Sequence, residues 1–188
     1  MIRNVLAIII AAAFFVAGMA QAQTPAVNPK ILLKTTMGDI TLELYPAKAP
    51  ITVKNILNYV NAKFYDGLIF HRVMPGFMIQ CGGLTAEMST KSGNPPIKNE
   101  SGNGLKNARG SVAMARTNEL NSATSQFYIN HVDNFSLDER KYCVFGKVIA
   151  GLDVVDAIAK VKTGTRRGYA DVPREPISIL SVTLVEAK

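Results

Sequence analysis

The sequence predicts a mainly β protein: a closed, eight-stranded antiparallel β-barrel capped by two α-helices. Three observations predict it. Eight short apolar runs with strand character are separated by stretches rich in Gly, Pro and Asn. Only two stretches carry the i, i+3, i+4, i+7 apolar spacing of a one-faced helix. Strands and helices do not alternate regularly, which disfavours a parallel α/β sheet, whereas short antiparallel strands suit a barrel filled by side chains.

Ile31 to Thr36 reads as the first strand. Met37-Gly38 is a turn candidate, and Asp39 to Tyr45 alternates, with Ile40, Leu42 and Leu44 on one face and Thr41 and Glu43 on the other. Two such runs around a Gly-containing turn make a hairpin. Pro46 and Pro50 break the strand, and Pro50 suits the first turn of a helix. Val53, Ile56, Leu57 and Val60 then share one face, and the helix should end near Asn61 to Lys63. After a turn at Tyr65-Asp66-Gly67, two apolar runs, Leu68 to Phe70 and Phe77 to Ile79, read as strands flanking a turn at Pro75-Gly76.

Gly82 to Gly110 is rich in glycine and contains Pro95-Pro96. A loop of that length inside a compact domain is uncommon unless it is functional. It reads as ordered surface loops framing a cleft. Ser111 to Ala115, Gln126 to Asn130 and Tyr142 to Ile149 read as strands, separated by polar loops at Thr117 to Ser125 and Val132 to Lys141. Leu152 to Val161 is the second helix, with Leu152, Val155, Ile158 and Ala159 on one face. Gly164 to Pro176 reads as a loop and Ile177 to Val185 as the closing strand. Its apolar positions switch parity between Ile179 and Leu180, which predicts a β-bulge.

A chain of 188 residues suits one domain with a processed end. Arg3, the apolar run Val5 to Met19 and the small-x-small Ala20-Gln21-Ala22 form the pattern of a secretory signal peptide. The expected organisation is a signal peptide over 1–22, cleaved after Ala22, a short tether over 23–30 with Pro25 and Pro29, and one domain over 31–188. The expected location is the periplasm, with secretion open and no stable membrane insertion after cleavage. An uncleaved anchor is the alternative, although an apolar run of about 15 residues is short for a spanning helix. The net charge of +7 is spread along the chain, without the basic stripe and stacking aromatics of a nucleic-acid binder. Cys81 and Cys143 lie in apolar strand-like runs and read as small buried thiols. A disulfide is the alternative in an oxidising compartment. Two His and two Cys at these spacings do not form a zinc pattern, and neither a metal nor a cofactor is expected.

The chemistry centres on Phe70 to Gly83, FHRVMPGFMIQCGG. One cation, Arg72, and one amide, Gln80, stand among large apolar side chains, the composition of an apolar cleft with a few fixed polar groups. His71 has the look of a general base. Ser, His and Asp are present, but no nucleophile elbow of the GxSxG type appears.

This stretch resembles the central signature of the cyclophilin family of peptidyl-prolyl cis-trans isomerases. Further matches follow in order: Asn99-Glu100, SVAMA at Ser111 to Ala115, SQFYIN at Ser125 to Asn130, Leu137-Asp138 and VFGKV at Val144 to Val148. The resemblance covers about Ile31 to Leu184 and is most like the bacterial periplasmic members. It implies a closed eight-stranded barrel with a helix at each end and a site on its outer face. It implies that Arg72 is catalytic, that Phe77, Met78, Tyr128 and Leu137 line a proline pocket, that Gln80 and Gln126 supply hydrogen bonds, and that Ala115 and Arg116 meet the substrate backbone. The reaction so implied transfers no proton, which makes His71 a structural histidine instead of a base. The implied partners are proline-containing polypeptides folding after export, bound by a monomer. A peptide-binding chaperone with incidental isomerase activity is the alternative.

Five positions depart from the family pattern. Tyr128 stands where Phe is usual, and its hydroxyl needs a partner. Arg116 replaces the commoner Asn and adds charge beside the groove. Cys81 replaces a usual Gly. Ser136 falls where cyclosporin-sensitive members carry Trp, and Tyr142 where many carry His. Weak cyclosporin binding is therefore expected.

Overall fold

The computed structural model describes residues 28–185. The expected signal peptide over 1–22 and most of the tether over 23–30 lie outside the described residues. The elements run β1 (Lys30–Thr35), β2 (Gly38–Leu44), α1 (Pro50–Asn61), β3 (Arg72–Met74), β4 (Met78–Cys81), β5 (Ser111–Met114), β6 (Phe127–Asn130), α2 (Ser136–Glu139), β7 (Val144–Ala150), α3 (Leu152–Ala159), β8 (Thr163–Arg166), β9 (Tyr169–Pro173) and β10 (Ile179–Val185).

β1 and β2 form the expected hairpin, with Thr35 opposite Gly38 and a two-residue turn between them. The Thr35 hydroxyl accepts from Met37 N–H and donates to the Gly38 carbonyl, tying the turn to its own base. α1 opens on Pro50 and buries Val53, Ile56, Tyr59 and Val60. Its preceding residue, Ala49, offers no capping side chain. Glu100 supplies the cap from a remote loop, accepting from Ile51 N–H at 3.0 Å and from Thr52 N–H and Oγ1 at 2.8 Å. A carboxylate at a helix N-terminus satisfies otherwise unpaired amides and meets the positive end of the helix dipole. The expected bulge in β10 is present: Lys34 pairs with Ser181 and Thr35 with Ile179, so Leu180 is the extra residue.

The expected closed barrel is corrected. Eight strands form one open, curled antiparallel sheet in the order β10-β1-β2-β7-β5-β6-β4-β3. No ladder joins the edge strands β3 and β10 among the described residues. β3 has only three residues, and the segment before it divides its hydrogen bonds. Ile69 N–H donates to Leu84, while Phe70 N–H donates to Ile177 and the Leu68 carbonyl accepts from Ile179. The run Leu68 to Phe70, expected as a strand, thus forms isolated bridges that tie the two margins of the sheet together. Two further corrections concern segments read as loops. Val132 to Lys141 contains the one-turn helix α2, and Gly164 to Pro176 contains most of a separate two-stranded sheet, β8 and β9.

The concave side of the curled sheet holds the main core. Ile31, Leu33, Ile40, Leu42, Val112, Phe127, Ile129 and Phe145 meet there, joined by Ile56 and Val60 of α1 and Val155 and Ile158 of α3. α1 lies against β10, and α3 against β2, β3 and β4. Cys81 and Cys143 are free thiols buried in this core. Burial pushes the Cys81 thiol well above its usual pKa, so it behaves as a small apolar filler.

A cleft on the outer face of the sheet

Strand alternation sends successive side chains to opposite faces of a sheet. On β4, Ile79 and Cys81 enter the main core, while Met78 and Gln80 face outward. On β6, Phe127 and Ile129 are core and Tyr128 belongs to a second, outer cluster. The register then aligns Arg72 of β3 with Gln80 of β4, Tyr128 of β6, Ala113 of β5 and Val144 of β7. Directly opposed residues share a face. One row across five strands therefore carries a cation, an amide, an aromatic ring and an apolar floor.

A cleft of about 320 Å³ lies over this row. All nine residues singled out from the sequence line it: Arg72, Phe77, Met78, Gln80, Ala115, Arg116, Gln126, Tyr128 and Leu137. Phe77 comes from the β3–β4 turn, where Gly76 adopts φ 71°, a conformation that glycine takes without strain. The Gly76 N–H donates to His131 Nδ1 at 3.1 Å. Leu137 comes from α2 and is buried against Met78, Ala113, Tyr128 and Val144. Gln80 Nε2 donates to Gln126 Oε1 at 2.9 Å, so the two amides hold each other on one wall. The volume falls at the small end of ligand pockets, and the lining sets apolar side chains beside the polar groups of His71, Arg72, Gln80, Thr90, Arg116 and Gln126.

Tyr128 finds the partner its hydroxyl requires. It donates to Asn107 Oδ1 at 2.8 Å beneath the pocket. Asn107 is fully buried and gathers a polar network. Its Oδ1 also accepts from Asn130 Nδ2, and its Nδ2 donates to Asp138 Oδ1 at 2.8 Å. Asn130 Nδ2 donates to Ser111 Oγ, and Asn134 Nδ2 donates to Asn130 Oδ1 and to the Phe77 carbonyl. Burial raises the Tyr128 pKa strongly, with Tyr142 and Asp138 adding to the effect. The ring is thus a neutral floor fixed from below.

Arg116 is engaged with its own surroundings. Its Nη1 donates to the Thr117 carbonyl at 2.8 Å, its Nη2 donates to the Arg140 carbonyl, and its guanidinium lies 4.5 Å over the Tyr142 ring. It clasps two loops at the cleft rim while keeping its charge there. His71 is buried, and desolvation lowers its pKa to about 4, with contacts to the Ile69 backbone and Gln126 only partly offsetting that. Arg72 opposes a positive charge there as well. A neutral imidazole follows at ordinary pH.

The cleft also takes in residues that sequence reasoning did not place, Leu84 and Thr90 from the long loop and Tyr169 with Ala170 from β9, together with Tyr142, noted from the sequence only as a departure from the family pattern. The network under Tyr128 was missed too. One signal for it was available: Asn130 shares the parity of Tyr128 on a wholly buried strand, so its amide needs partners.

A family model for the cyclophilin type peptidyl-prolyl cis-trans isomerases matches residues 30–184. The chain is 51% identical over 160 residues to peptidyl-prolyl cis-trans isomerase A of Dickeya dadantii (strain 3937), covering 83% of this chain and 84% of that protein. It is 50% identical over 163 residues to peptidyl-prolyl cis-trans isomerase B of Escherichia coli (strain K12), covering 83% of this chain and 99% of that one. Among solved structures, a cyclophilin type peptidyl-prolyl cis-trans isomerase of Cryptosporidium parvum superposes with a TM-score of 0.76 at 25% identity, over 86% of this chain and 99% of that one. With the signature row of Arg72, Gln80 and Tyr128 assembled on one face, the chain belongs to the cyclophilin-type peptidyl-prolyl cis-trans isomerases, and its activity is the cis-trans isomerisation of X-Pro peptide bonds.

Proposed function

We propose that Arg72 is the catalytic residue of this isomerase and that its substrates are proline-containing segments of polypeptides folding after export to the periplasm. The observation that carries the reading is the register row, which sets the Arg72 guanidinium beside an apolar pocket formed by Phe77, Met78, Tyr128 and Leu137. A crystal structure of the Cryptosporidium relative was obtained in the presence of the dipeptide Ala-Pro, and a prolyl dipeptide is of a size that this cleft accepts.

An X-Pro bond rotates slowly because its C–N bond has partial double-bond character, with a barrier of about 18–20 kcal/mol. At the twisted transition state the amide resonance is lost. The prolyl nitrogen regains its lone pair and accepts a hydrogen bond that it cannot accept when planar. A guanidinium is charged at every working pH and presents rigid donors. Arg72 aimed at that nitrogen stabilises the twisted state over the planar one, which is what acceleration requires. The apolar floor holds the pyrrolidine ring while the preceding carbonyl swings. Gln80, Gln126, Ala115 and Arg116 hold the flanking backbone. No proton is transferred, so neutral, buried His71 serves packing.

The test is Arg72→Ala, measured for exchange of an X-Pro peptide and for suppression of aggregation. Catalysed exchange should fall by about two to three decades, the loss seen when one donor to a developing charge is removed. Wild-type exchange in the variant would refute the role of Arg72. Loss of exchange with retained suppression of aggregation would separate isomerase and chaperone functions.

The export assignment rests on residues 1–22, and the mature chain should begin at Gln23 by mass spectrometry; an intact Met1 would refute it. No helix among the described residues is long and apolar enough to cross a membrane. We propose a monomer, checked by light scattering. With exposed Ser136 at the start of α2 and Tyr142 in the cleft wall, cyclosporin should inhibit only weakly. Nanomolar inhibition would overturn that expectation.

A further inference from the structure

We propose that Asp171, on the β8–β9 hairpin, is a positioning residue for Arg72, a role that rests on the reading of Arg72 as the catalytic group. Asp171 Oδ2 lies 3.8 Å from Arg72 Nε. β9 runs against β3, the strand that begins with Arg72.

The local backbone is arranged to bring the carboxylate there. Gly164 pairs with Val172 and Arg166 with Tyr169, so Ala170 and Asp171 together oppose the single residue Thr165. That two-against-one count is a β-bulge, a device that re-aims side chains beside functional sites. Asp171 has φ 60°, in the left-handed region that Asp tolerates better than most residues. Tyr169 and Ala170, the two residues before it, line the same cleft. The next residue, Val172, is buried with Ile69, Leu84 and Met88, which anchors the bulge to the body of the protein. Two residues thus line the cleft, Asp171 comes up to Arg72 beside it, and Val172 anchors all three.

The ion pair itself adds little stability, because both side chains are about two-fifths exposed, at 43% and 38%. Its consequence is directional. An arginine on a flexible stem samples many rotamers, and a carboxylate held at Nε restricts them. Engagement at Nε also leaves both Nη groups free of protein partners among the described residues, so the donors that remain can face the substrate. The opposite charge of the carboxylate biases the guanidinium toward the cleft wall, with both groups still partly in water.

The experiment compares Asp171→Gly, Asp171→Asn and Arg72→Ala with the double variant Arg72→Ala/Asp171→Gly, reading kcat and KM separately on an X-Pro peptide. Glycine suits φ 60° without strain, so D171G removes the carboxylate and keeps the bulge; its melting temperature verifies the fold. D171G should lower kcat by about three- to tenfold with KM changed less than twofold, a coupling ordinary for neighbouring residues. D171N keeps the shape but removes the charge, and at 3.8 Å its oxygen preserves no hydrogen bond, so it should lose kcat as D171G does. In the R72A background D171G should have no further effect. Wild-type kcat in D171G, or an equal loss in both backgrounds, overturns the positioning role while leaving Arg72 in place. Wild-type turnover in R72A overturns both assignments together.

Discussion

The hydrogen bond from Tyr128 to Asn107 makes a prediction whose sign depends on the background. In the wild-type protein the Tyr128 hydroxyl donates to Asn107 Oδ1 at 2.8 Å, and that oxygen also accepts from Asn130 Nδ2 at 3.1 Å. Tyr128→Phe deletes one bond and leaves no orphan, since Asn130 still satisfies Asn107. The cost should be about 1 kcal/mol, the net worth of a typical internal hydrogen bond. Asn107→Ala is harsher: it strips the buried hydroxyl of its acceptor and removes donors from Asp138 and the Tyr142 carbonyl. With several partners lost in one buried network, the cost should reach about 3–5 kcal/mol. Once Asn107 is gone, the Tyr128 hydroxyl is an unsatisfied buried group worth about 1–3 kcal/mol of destabilisation. Y128F then removes a liability. Its effect should change from about 1 kcal/mol destabilising to neutral or stabilising, a coupling of about 2 kcal/mol. Urea unfolding of the four proteins measures this, as about 0.5 M in midpoint per kcal/mol for an m-value near 2 kcal/mol/M. An equal loss from Y128F in both backgrounds would refute the network as drawn. Turnover of Y128F should stay within about twofold of wild type, because the ring that forms the pocket floor is unchanged.

Two further predictions follow from groups outside the reaction. Glu100→Ala leaves the first amides of α1 without a cap and should cost about 1–2 kcal/mol, or roughly 2–8 °C in melting temperature; an unchanged melting temperature would show that water replaces the carboxylate fully. His71 has its pKa lowered to about 4 by burial, against about 6.5 in an unfolded chain, so its neutral form contributes fully above pH 6.5 and the unfolded state takes up the proton first as pH falls. Stability should therefore drop between about pH 6.5 and 4 by up to about 3 kcal/mol, and His71→Gln should flatten that part of the curve. The same slope in H71Q would move the titration to another group.

Much of the site was legible because it obeys a single rule. Strand period two assigns Met78 and Gln80 to one face and Ile79 and Cys81 to the other, and the same rule divides Tyr128 from Phe127 and Ile129. Arg72, Met78, Gln80 and Tyr128 reach the cleft by that rule, while Phe77, Ala115, Arg116, Gln126 and Leu137 come from turns, loops and α2, where only the family resemblance marked them. The rule also accounts for Cys81, which carries no chemistry and fills the core. Openness of the sheet was not legible. Leu68 to Phe70 has strand composition, but it shares its hydrogen bonds between Leu84 and the start of β10, and composition does not reveal which partner an extended segment takes.

The β8–β9 hairpin shows the opposite failure. Its strands are short and largely exposed, so apolar alternation is absent and the segment reads as a loop. What holds it is turn geometry: Arg167 and Gly168 form a two-residue turn with φ 48° and 82°, the positive pair that fits the twist of a hairpin. Gly168 was a visible cue, while arginine is a poor marker for the position before it, where Asn or Asp would have announced the turn. The same hairpin holds Val172 in a small cluster with Ile69 and Leu84, the very segments that tie the sheet margins. The open edge at β3 and the added hairpin are therefore one arrangement. An edge strand left without a ladder partner beyond β4 gives β9 room to lie against it, and that placement brings Tyr169 and Ala170 into the cleft and Asp171 beside Arg72.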